Sequence, residues 1–434
     1  LHSLRRRQRQ MCIRDRKLRA QIAYDSESYL KEIRKVLPEM YYASGRTVDG
    51  TLIMRKVVDA QTATYNKDEE SQWNKLHFES TLNYDRAFGD HRVGGLVYYY
   101  MSSYQSTWCD IHGYNCNVNV DNVPKRYQGL SGRLTYGFRD TYMIDLNFGY
   151  TGSENFQKGR RFGFFPSVAL GWVPTNYDFV RETLPWLSFL KIRGSWGSVG
   201  NDRITNKRFP YLTIMNENAN KGWNGSNGVT EQSVGADNLQ WEKAIKLDLG
   251  IEGKLFNEQV DFTVDFFRDT RNDIFQQRTM VPDYIGLAEQ PFGNVGSMVS
   301  YGADGNISFR QDIGKDFSFT LRGNFTYTAN MVKNWEEAFQ KYSYQERADK
   351  PYEFYSGYIA LGLFRDENDV KFSPDQSGIA GRKVLPGDIK YKDVNGDGVI
   401  NSDDQVPLSY KANYPRLMLS LIHISEPTRL ALIS

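Results

Sequence analysis

The sequence lacks the features that mark helical membrane proteins and the common enzyme classes. No run of about 18 or more apolar residues occurs, which excludes a membrane-spanning helix. There are only five histidines, and no G-x-S-x-G elbow, H-E-x-x-H helix or P-loop is present. The net charge of +2 argues against a dedicated nucleic-acid-binding protein. The sequence offers no site for a secreted hydrolase, so we expect no enzyme activity.

Cysteine is also scarce, with three residues in the chain. Cys109 and Cys116 lie seven apart in the polar stretch TWCDIHGYNC. In an oxidising compartment they would close a small loop disulfide. A metal site that includes Asp110 or His112 is one alternative, although the spacing fits no standard zinc pattern, and two unreacted thiols are another.

The two ends of the chain differ from the rest. Residues 1–16 contain six arginines and one acid, Asp15, and no apolar core follows them, so they do not form a signal peptide. Residues 1–16 and 421–434 both resemble translated sequencing-adapter DNA. We expect both ends to be non-native and the functional protein to lie within 17–420. A genuine basic arm at the start is the alternative interpretation.

The dominant pattern between the ends is an alternation of apolar and polar residues. In 317–329 one face is apolar and the other polar, and the same alternation recurs in 76–84, 142–150, 245–252 and 260–266. The apolar face of the first segment consists of Phe317, Phe319, Leu321, Phe325 and Tyr327, and the polar face of Ser318, Thr320, Arg322, Asn324 and Thr326. A period of two residues predicts β-strands that separate an apolar from a polar environment.

Both a soluble β-sandwich and a membrane barrel have alternating strands. Several segments here reach the roughly 9 to 11 residues that span a bilayer. Aromatic residues gather at strand ends, as in 98–100 and at Trp172 and Trp186, where the interface girdles of a barrel lie. Short links at 85–90, 139–140, 254–259 and 311–316 alternate with long links at 101–130, 199–240 and 268–300. The sequence therefore predicts an all-β, antiparallel transmembrane β-barrel.

Specific stretches extend this prediction to a family. The chain resembles SusC/RagA-type TonB-dependent outer-membrane receptors, and the matching stretches keep the family's order. They are LNYDRAFGDHRV (82–93), residues 132–156, FFPSVALGW (164–172), WLSFLKIRGSWGSVGN (186–201), LQWEKAIKLDLGIE (239–252), NVGSMVSYGADGNISF (294–309) and residues 386–404. The stretch YTGSENF departs from the family, which more often carries an Arg-Asp-Gly-Ser-Ser run there, so the role of that loop is not carried over.

The resemblance implies a 22-stranded barrel with an N-terminal plug in the outer membrane of a Gram-negative bacterium. It implies TonB-dependent import of large nutrients, usually oligosaccharides and sometimes peptides. A SusD-like surface lipoprotein would cover the barrel mouth, and the TonB complex would supply energy. We expect this chain to hold part of the barrel wall, to contact outer-membrane lipid, and to lack the plug and the TonB-contacting segment.

The segment 393–404 carries the most specific chemistry. Its residues follow the spacing of an EF-hand calcium loop, which needs oxygen donors at positions 1, 3, 5, 7, 9 and 12 and glycine at position 6. The predicted Ca²⁺ ligands are Asp393, Asn395, Asp397, the carbonyl of Val399, Asn401 and Asp404, with Gly398 at the turn. An Asp/Asn/Gly turn held by side-chain-to-backbone bonds is the alternative. Strand direction places this segment outside the cell, between the strand 317–329 and the strand that begins near Tyr414.

Loop aromatics are the remaining candidates. Trp108, Tyr114, Trp223 and Trp241 would stack on sugar rings or pack on peptide side chains, and each would equally serve as a girdle or loop-packing residue. The alternative function from another class is a secreted, calcium-stabilised β-sandwich or adhesin that binds glycans. Long alternating strands and the short and long links favour the barrel over that alternative.

Overall fold

The computed structural model describes residues 4–13, 15–109, 123–203, 209–218, 228–236, 238–287, 289–314, 317–410 and 415–427. Its main element is one sheet, which contains thirteen strands within that part of the chain. In chain order these strands are β1 (Leu4–Ile13), β2 (Arg16–Leu37), β5 (Gln61–Phe88), β6 (His91–Cys109), β7 (Lys125–Phe138), β8 (Tyr142–Ser153), β9 (Phe162–Trp172), β10 (Leu187–Asn201), β13 (Glu242–Leu255), β14 (Val260–Gln277), β15 (Phe292–Ile313), β16 (Phe317–Asn334) and β21 (Leu417–Pro427).

Short elements fill the links between these strands. In the described residues, eight short strands form four two-stranded sheets. They are β3 (Met40–Arg46) with β4 (Leu52–Val58), β11 (Ile214–Asn218) with β12 (Gly228–Ser233), β17 (Tyr355–Gly357) with β20 (Val406–Ser409), and β18 (Ala360–Leu363) with β19 (Ile389–Tyr391). The α-helices of the described residues are α1 (Asp178–Thr183), α2 (Glu367–Lys371) and α3 (Ser377–Ala380), and short 3-10 helices lie at Pro174–Asn176, Asp283–Ile285 and Ser402–Asp404. None of the helices in the described ranges is long and apolar enough to cross a membrane.

The strands of the main sheet follow one another in chain order. Each described pairing is antiparallel, including β10 with β13, β13 with β14, β14 with β15 and β15 with β16. A β-sandwich divides its strands between two packed sheets, whereas these thirteen strands form one hydrogen-bonded series. The predicted all-β antiparallel architecture is confirmed.

Side chains alternate across this sheet as the sequence predicts. Leu249 pairs with Phe266, and about half of each side chain is exposed, at 51% in both cases. Their neighbours Asp248 and Asp265 point to the opposite face, where they form ion pairs. A face of exposed apolar residues opposite a charged face is the arrangement that a lipid-embedded wall requires.

The two ends of the strands differ in the length of their links. At one end the links between consecutive strands are 14–15, 89–90, 139–141, 173–186, 256–259 and 314–316, and among their described residues only 173–186 contains a helix. At the other end they are 38–60, 110–124, 154–161, 202–241, 278–291 and 335–416. The predicted asymmetry is confirmed, but three links are shorter than the predicted 101–130, 199–240 and 268–300. The strands continue past the apolar band because backbone pairing does not require an alternating sequence.

By contact density the chain divides into two units. The first comprises Leu1–Asn83, Val97–Leu130 and Thr151–Glu154, and the second comprises Tyr84–Leu96, Ser131–Tyr150 and Asn155–Ser434. The second unit contains a small buried cluster of Phe156, Leu239 and Trp241. This cluster lies in the links between strands and not under the sheet, as expected for a sheet whose apolar face meets lipid.

The ends expected to be non-native form paired strands. β1 pairs with β2, and β21 pairs with β16 as far as Pro427. The change of pattern expected after Ser420 therefore does not end the strand, because backbone groups pair with the backbone of β16 whatever side chains they carry. The origin of residues 1–16 and 421–434 stays a prediction.

Candidate functional site: the 393–404 loop and the polar face of the sheet

The first half of the 393–404 loop is folded by its own polar side chains. The two carboxylate oxygens of Asp393 accept hydrogen bonds from the backbone amides of Gly396 (2.6 Å) and Gly398 (2.8 Å). Asn395 accepts from the amide of Asp397 at 3.0 Å, and Asp397 accepts from the amide of Val399 at 2.9 Å. Such bonds wind the chain into a tight loop.

Gly398 is required at position 6 by its backbone conformation. Its φ of 83° lies in the left-handed region, which side chains with a Cβ disfavour. This is the role that the calcium-loop pattern assigns to glycine at that position.

The second half of the loop ends in a short 3-10 helix, Ser402–Asp404. Asn401 caps this helix by accepting from the amide of Asp403 at 2.7 Å. Asp404 is fully buried and accepts from the amides of Val394 (2.7 Å) and Asn401 (2.9 Å). Its carboxylate therefore connects the beginning of the loop to its end.

The donor chemistry of the loop is compatible with calcium. An ionised carboxylate has about four lone-pair sites, so the oxygens of Asp393 and Asp397 can accept amide hydrogens and still face a cation. Within the described ranges, no three His, Cys, Asp or Glu side chains form a metal-binding group. An ion here would depend on the amide oxygens of Asn395 and Asn401 and on the carbonyl of Val399 as well. The assignment of these ligands stays a prediction.

A neighbouring segment holds the loop from outside. The hydroxyl of Tyr344 donates to the carbonyl of Asp403, and the side-chain amide of Gln345 donates to the carbonyl of Ser402 at 3.1 Å. Lys341 forms an ion pair with Asp403 at 3.1 Å. Tyr342 and Asp403, which accept hydrogen bonds from its ammonium, raise the pKa of Lys341. The loop is thus attached to the chain that follows β16.

Ion pairs also hold the segment before the loop. The Lys390 ammonium lies 2.7 Å from Asp369 and lowers the pKa of that carboxyl. Asp388 accepts hydrogen bonds from the backbone amide of Leu385 at 2.9 Å and from the Arg382 guanidinium at 2.8 Å. Both bonds lower the pKa of the Asp388 carboxyl, and the bond from the Leu385 amide has the larger effect. The link 335–416 is therefore a folded segment with its own polar network.

One of the four aromatic candidates is a packing residue. Trp241 is 6% exposed, and its ring lies 5.1 Å from Phe156 and 5.3 Å from Phe165 between centroids. Its indole nitrogen donates to the carbonyl of Arg161 at 3.2 Å. A ring enclosed in this way cannot stack on a ligand, so the stacking interpretation is wrong for Trp241 and its loop-packing alternative holds.

The other candidates fall outside the described residues in whole or in part. Tyr114, Cys116 and Trp223 lie in ranges that the structure does not describe. Trp108 and Cys109 end β6, but their side chains are not described. The predicted disulfide and the stacking roles of Trp108, Tyr114 and Trp223 therefore stay predictions.

The polar face of β10, β13 and β14 carries a charge cluster that the sequence analysis missed. The guanidinium of Arg193 contacts Glu252 (2.8 Å), Asp248 (3.2 Å) and Asp265 (2.7 Å). Gly250 lies beneath it, and a Cβ there would be 2.7 Å from the Arg193 Cζ. The alternation placed the acids on this face, but only the register of three strands brings them to one arginine.

Comparison with known proteins gives consistent matches. The family described as TonB dependent receptor-like, beta-barrel matches residues 14–412. The TonB-dependent receptor P39 of Formosa agariphila is 26% identical over 317 residues, which cover 68% of this chain and 30% of that protein. The TonB-dependent receptor SusC of Bacteroides thetaiotaomicron is 28% identical over 290 residues, which cover 63% of this chain and 27% of SusC.

A solved structure shares the fold. The RagAB peptide transporter superposes with a TM-score of 0.67 at 17% identity, over 96% of this chain and 45% of that one. The chain spans about a third of the length of the curated relatives that it matches.

Proposed function

Because the chain belongs to the family of TonB-dependent receptor β-barrels of the outer membrane, we propose that it forms part of the wall of a nutrient importer. The cargo would be a large nutrient, oligosaccharides in the first place and peptides as the rival class. The family match over residues 14–412 carries this proposal. The separation of an apolar from a charged face along β13 and β14 supports it, because an importer needs a lipid-facing outside and a polar inside.

The proposed partners are a SusD-like surface lipoprotein and the TonB complex. The similarity to SusC and the fold shared with RagAB support this part of the proposal. The folded link 335–416 lies at the strand end with the long links, which in outer-membrane barrels faces the medium. A surface lipoprotein would meet the receptor on that side.

The proposal is tested by deleting the receptor gene in its host. We expect the deletion strain to lose growth on at least one oligosaccharide preparation, and a strain without functional TonB to show the same loss. A restored full-length gene should recover growth, and a tagged receptor should co-purify with a lipid-anchored protein. If the deletion strain loses growth on peptides alone, the cargo is a peptide and not an oligosaccharide. Undisturbed growth on both, with the protein outside the outer membrane, would refute it.

We further propose that the 393–404 loop binds Ca²⁺ as a structural ion. Asp393, Asn395, Asp397, Val399 and Asn401 would supply oxygen ligands. Asp404, the sixth predicted ligand, already accepts hydrogen bonds from three backbone amides, so its main contribution would be to close the loop. Calcium bound there would stiffen the link through the contacts of Asp403 with Tyr344 and Lys341.

The calcium proposal predicts a metal-dependent melting temperature. With 1 mM free Ca²⁺ and a dissociation constant of about 10 µM, in the range of loop sites, the ion would stabilise the link by about 2.7 kcal/mol. Asp393→Ala combined with Asp397→Ala should abolish the difference between calcium and chelator. Asp366→Ala, which removes a helix cap outside the loop, should leave that difference intact. Equal melting of the unaltered receptor with calcium and with chelator would reject the proposal.

A further inference from the structure

The first structural unit contains an aromatic surface on the polar face of β5 and β6. Three consecutive tyrosines, Tyr98, Tyr99 and Tyr100, alternate between the two faces of β6. The Tyr99 ring lies 6.3 Å from Phe78 between centroids, whereas the Tyr98 hydroxyl donates to Glu79 at 3.2 Å. Tyr98 and Tyr100 therefore share the charged face, which in a barrel lines the lumen.

The rings of this surface form one stacked pair and one tilted pair. The Tyr98 and Tyr100 centroids are 5.7 Å apart with an angle of 23° between the planes. Further along β6, Tyr104 lies 6.0 Å from Trp73 of β5 with an angle of 32°. All four side chains are partly exposed. From Tyr98 to Tyr104 the strand rises about 20 Å, so the rings follow the strand towards the end with the long links.

Each pair is held in place by its surroundings. Tyr98 is fixed through its hydroxyl, and the indole nitrogen of Trp73 donates to Glu27 at 3.0 Å. The Tyr100 ring lies over Gly129 of β7, where a Cβ would be 2.5 Å from a ring carbon. Rings whose orientation is fixed before binding lose little conformational freedom when a ligand covers them.

The carboxylate of Glu79 on this surface is already paired. Glu79 lies 4.0 Å from Arg19 and 3.4 Å from His77, in addition to its bond from Tyr98. A charged ligand would have to compete with these contacts. A neutral ligand with flat apolar faces and hydroxyl edges would keep them, because its C–H groups can lie on the electron-rich faces of the rings.

We propose that Trp73, Tyr98, Tyr100 and Tyr104 form a stacking track for neutral oligosaccharides on the lumen face of the barrel wall. This inference rests on the proposed importer function and names the cargo class at one surface of it. Successive sugar rings would stack on the two aromatic pairs, and Glu79 would accept hydrogen bonds from sugar hydroxyls at the edge of the track. The aromatic rings bind the sugars, and Gly129 positions Tyr100.

The test uses the full-length receptor, purified from outer membranes in detergent. The probes are a printed array of neutral plant, algal and host oligosaccharides and an array of random hexapeptides. We expect retention of at least one neutral oligosaccharide. The variant Tyr98→Leu with Tyr100→Leu should weaken its dissociation constant at least tenfold. The matched control Tyr99→Leu changes the adjacent tyrosine on the lipid face and should leave the constant within twofold.

A second variant tests the position of the ring without removing it. Gly129→Ala displaces the Tyr100 ring and should weaken binding of the same oligosaccharide severalfold, with unchanged heat stability of the barrel. Retention of peptides only, retention of no oligosaccharide, or equal affinity of the double leucine variant would overturn the stacking track. If the plug covers these rings in the full-length receptor, the double leucine variant would bind the oligosaccharide with unchanged affinity. Outer-membrane location and TonB-dependent growth, measured in the same strains, show whether the importer function itself has failed.

Discussion

Trp241 shows how a single side chain can organise two links of the chain. It packs on Phe156 of one link and on Phe165 of β9 while its indole nitrogen is hydrogen-bonded. Truncation of a buried tryptophan typically costs about 3 to 5 kcal/mol. Trp241→Ala should therefore loosen residues 154–161 and 234–241 and expose them to added protease on intact cells. Phe339→Ala, at a 92% exposed position, should not change the cleavage pattern.

Gly250 allows Arg193 to reach three carboxylates at once. In Gly250→Ala the new Cβ would lie 2.2 Å from an Asp265 oxygen and 2.7 Å from the Arg193 Cζ, so the guanidinium must move. We expect a lower temperature for the shift of the folded barrel band in gel electrophoresis. Gly378→Ala, where nothing lies within 4 Å, is the matched control. An unchanged transition in Gly250→Ala would show that the Arg193 contacts contribute little to stability.

Residue roles of this kind were only partly visible in the sequence. The loop 393–404 was found because its ligand spacing is local, and its turns follow from Asp, Asn and Gly within a few residues. The burial of Trp241 depends on Phe156, which is 85 positions away in sequence. Likewise, Arg193 meets Asp265 only through the register of β10, β13 and β14. No pattern within one segment reports such contacts.

At the scale of elements, the strands were predictable and their lengths were not. The alternation of 317–329 gives β16, and the short turn at 139–140 separates β7 from β8. β14 was assigned to end before Arg268 but continues to Gln277, because pairing with β15 continues where the side chains no longer alternate. The link 335–416 contains two further pairings, β17 with β20 and β18 with β19, whose positions no local pattern reveals.

The link 335–416 should lose structure in acid. The pKa values of Asp369 and Asp388 are lowered in the folded chain, so these carboxylates stabilise it above their ordinary pKa of 3.8. That contribution is lost as the pH falls below 3.8 and through the folded values. We expect pepsin to cleave this link faster at pH 2.5 than at pH 4.5, after correction for pepsin activity with an unfolded substrate.

Two variants separate the contribution of these ion pairs from general acid unfolding. In Asp369→Asn and in Asp388→Asn, pepsin should already cleave the link readily at pH 4.5. The cleavage rate of these variants should rise less on acidification than that of the unaltered receptor. Equal cleavage of the variants and the unaltered receptor at pH 4.5 would contradict this account of the link.

At the scale of the whole molecule, one apolar and one polar face continue from strand to strand. The same alternation supports the family assignment and the proposed importer, since each requires β16 and its neighbours to separate lipid from lumen. The substrate and the lipoprotein partner were not derivable from this pattern, because any cargo can pass a wall built in this way.

The orientation of β16 can be measured directly. Nitroxide labels at each position from Phe317 to Asn330, in the full-length receptor reconstituted into lipid vesicles, report collisions with lipid-soluble oxygen and with a water-soluble nickel chelate. We expect a period of two, with oxygen contact highest at Phe317, Phe319, Leu321, Phe325 and Tyr327 and low at the intervening polar positions. Oxygen contact without that period, or nickel contact at all positions, would contradict a membrane-embedded barrel wall.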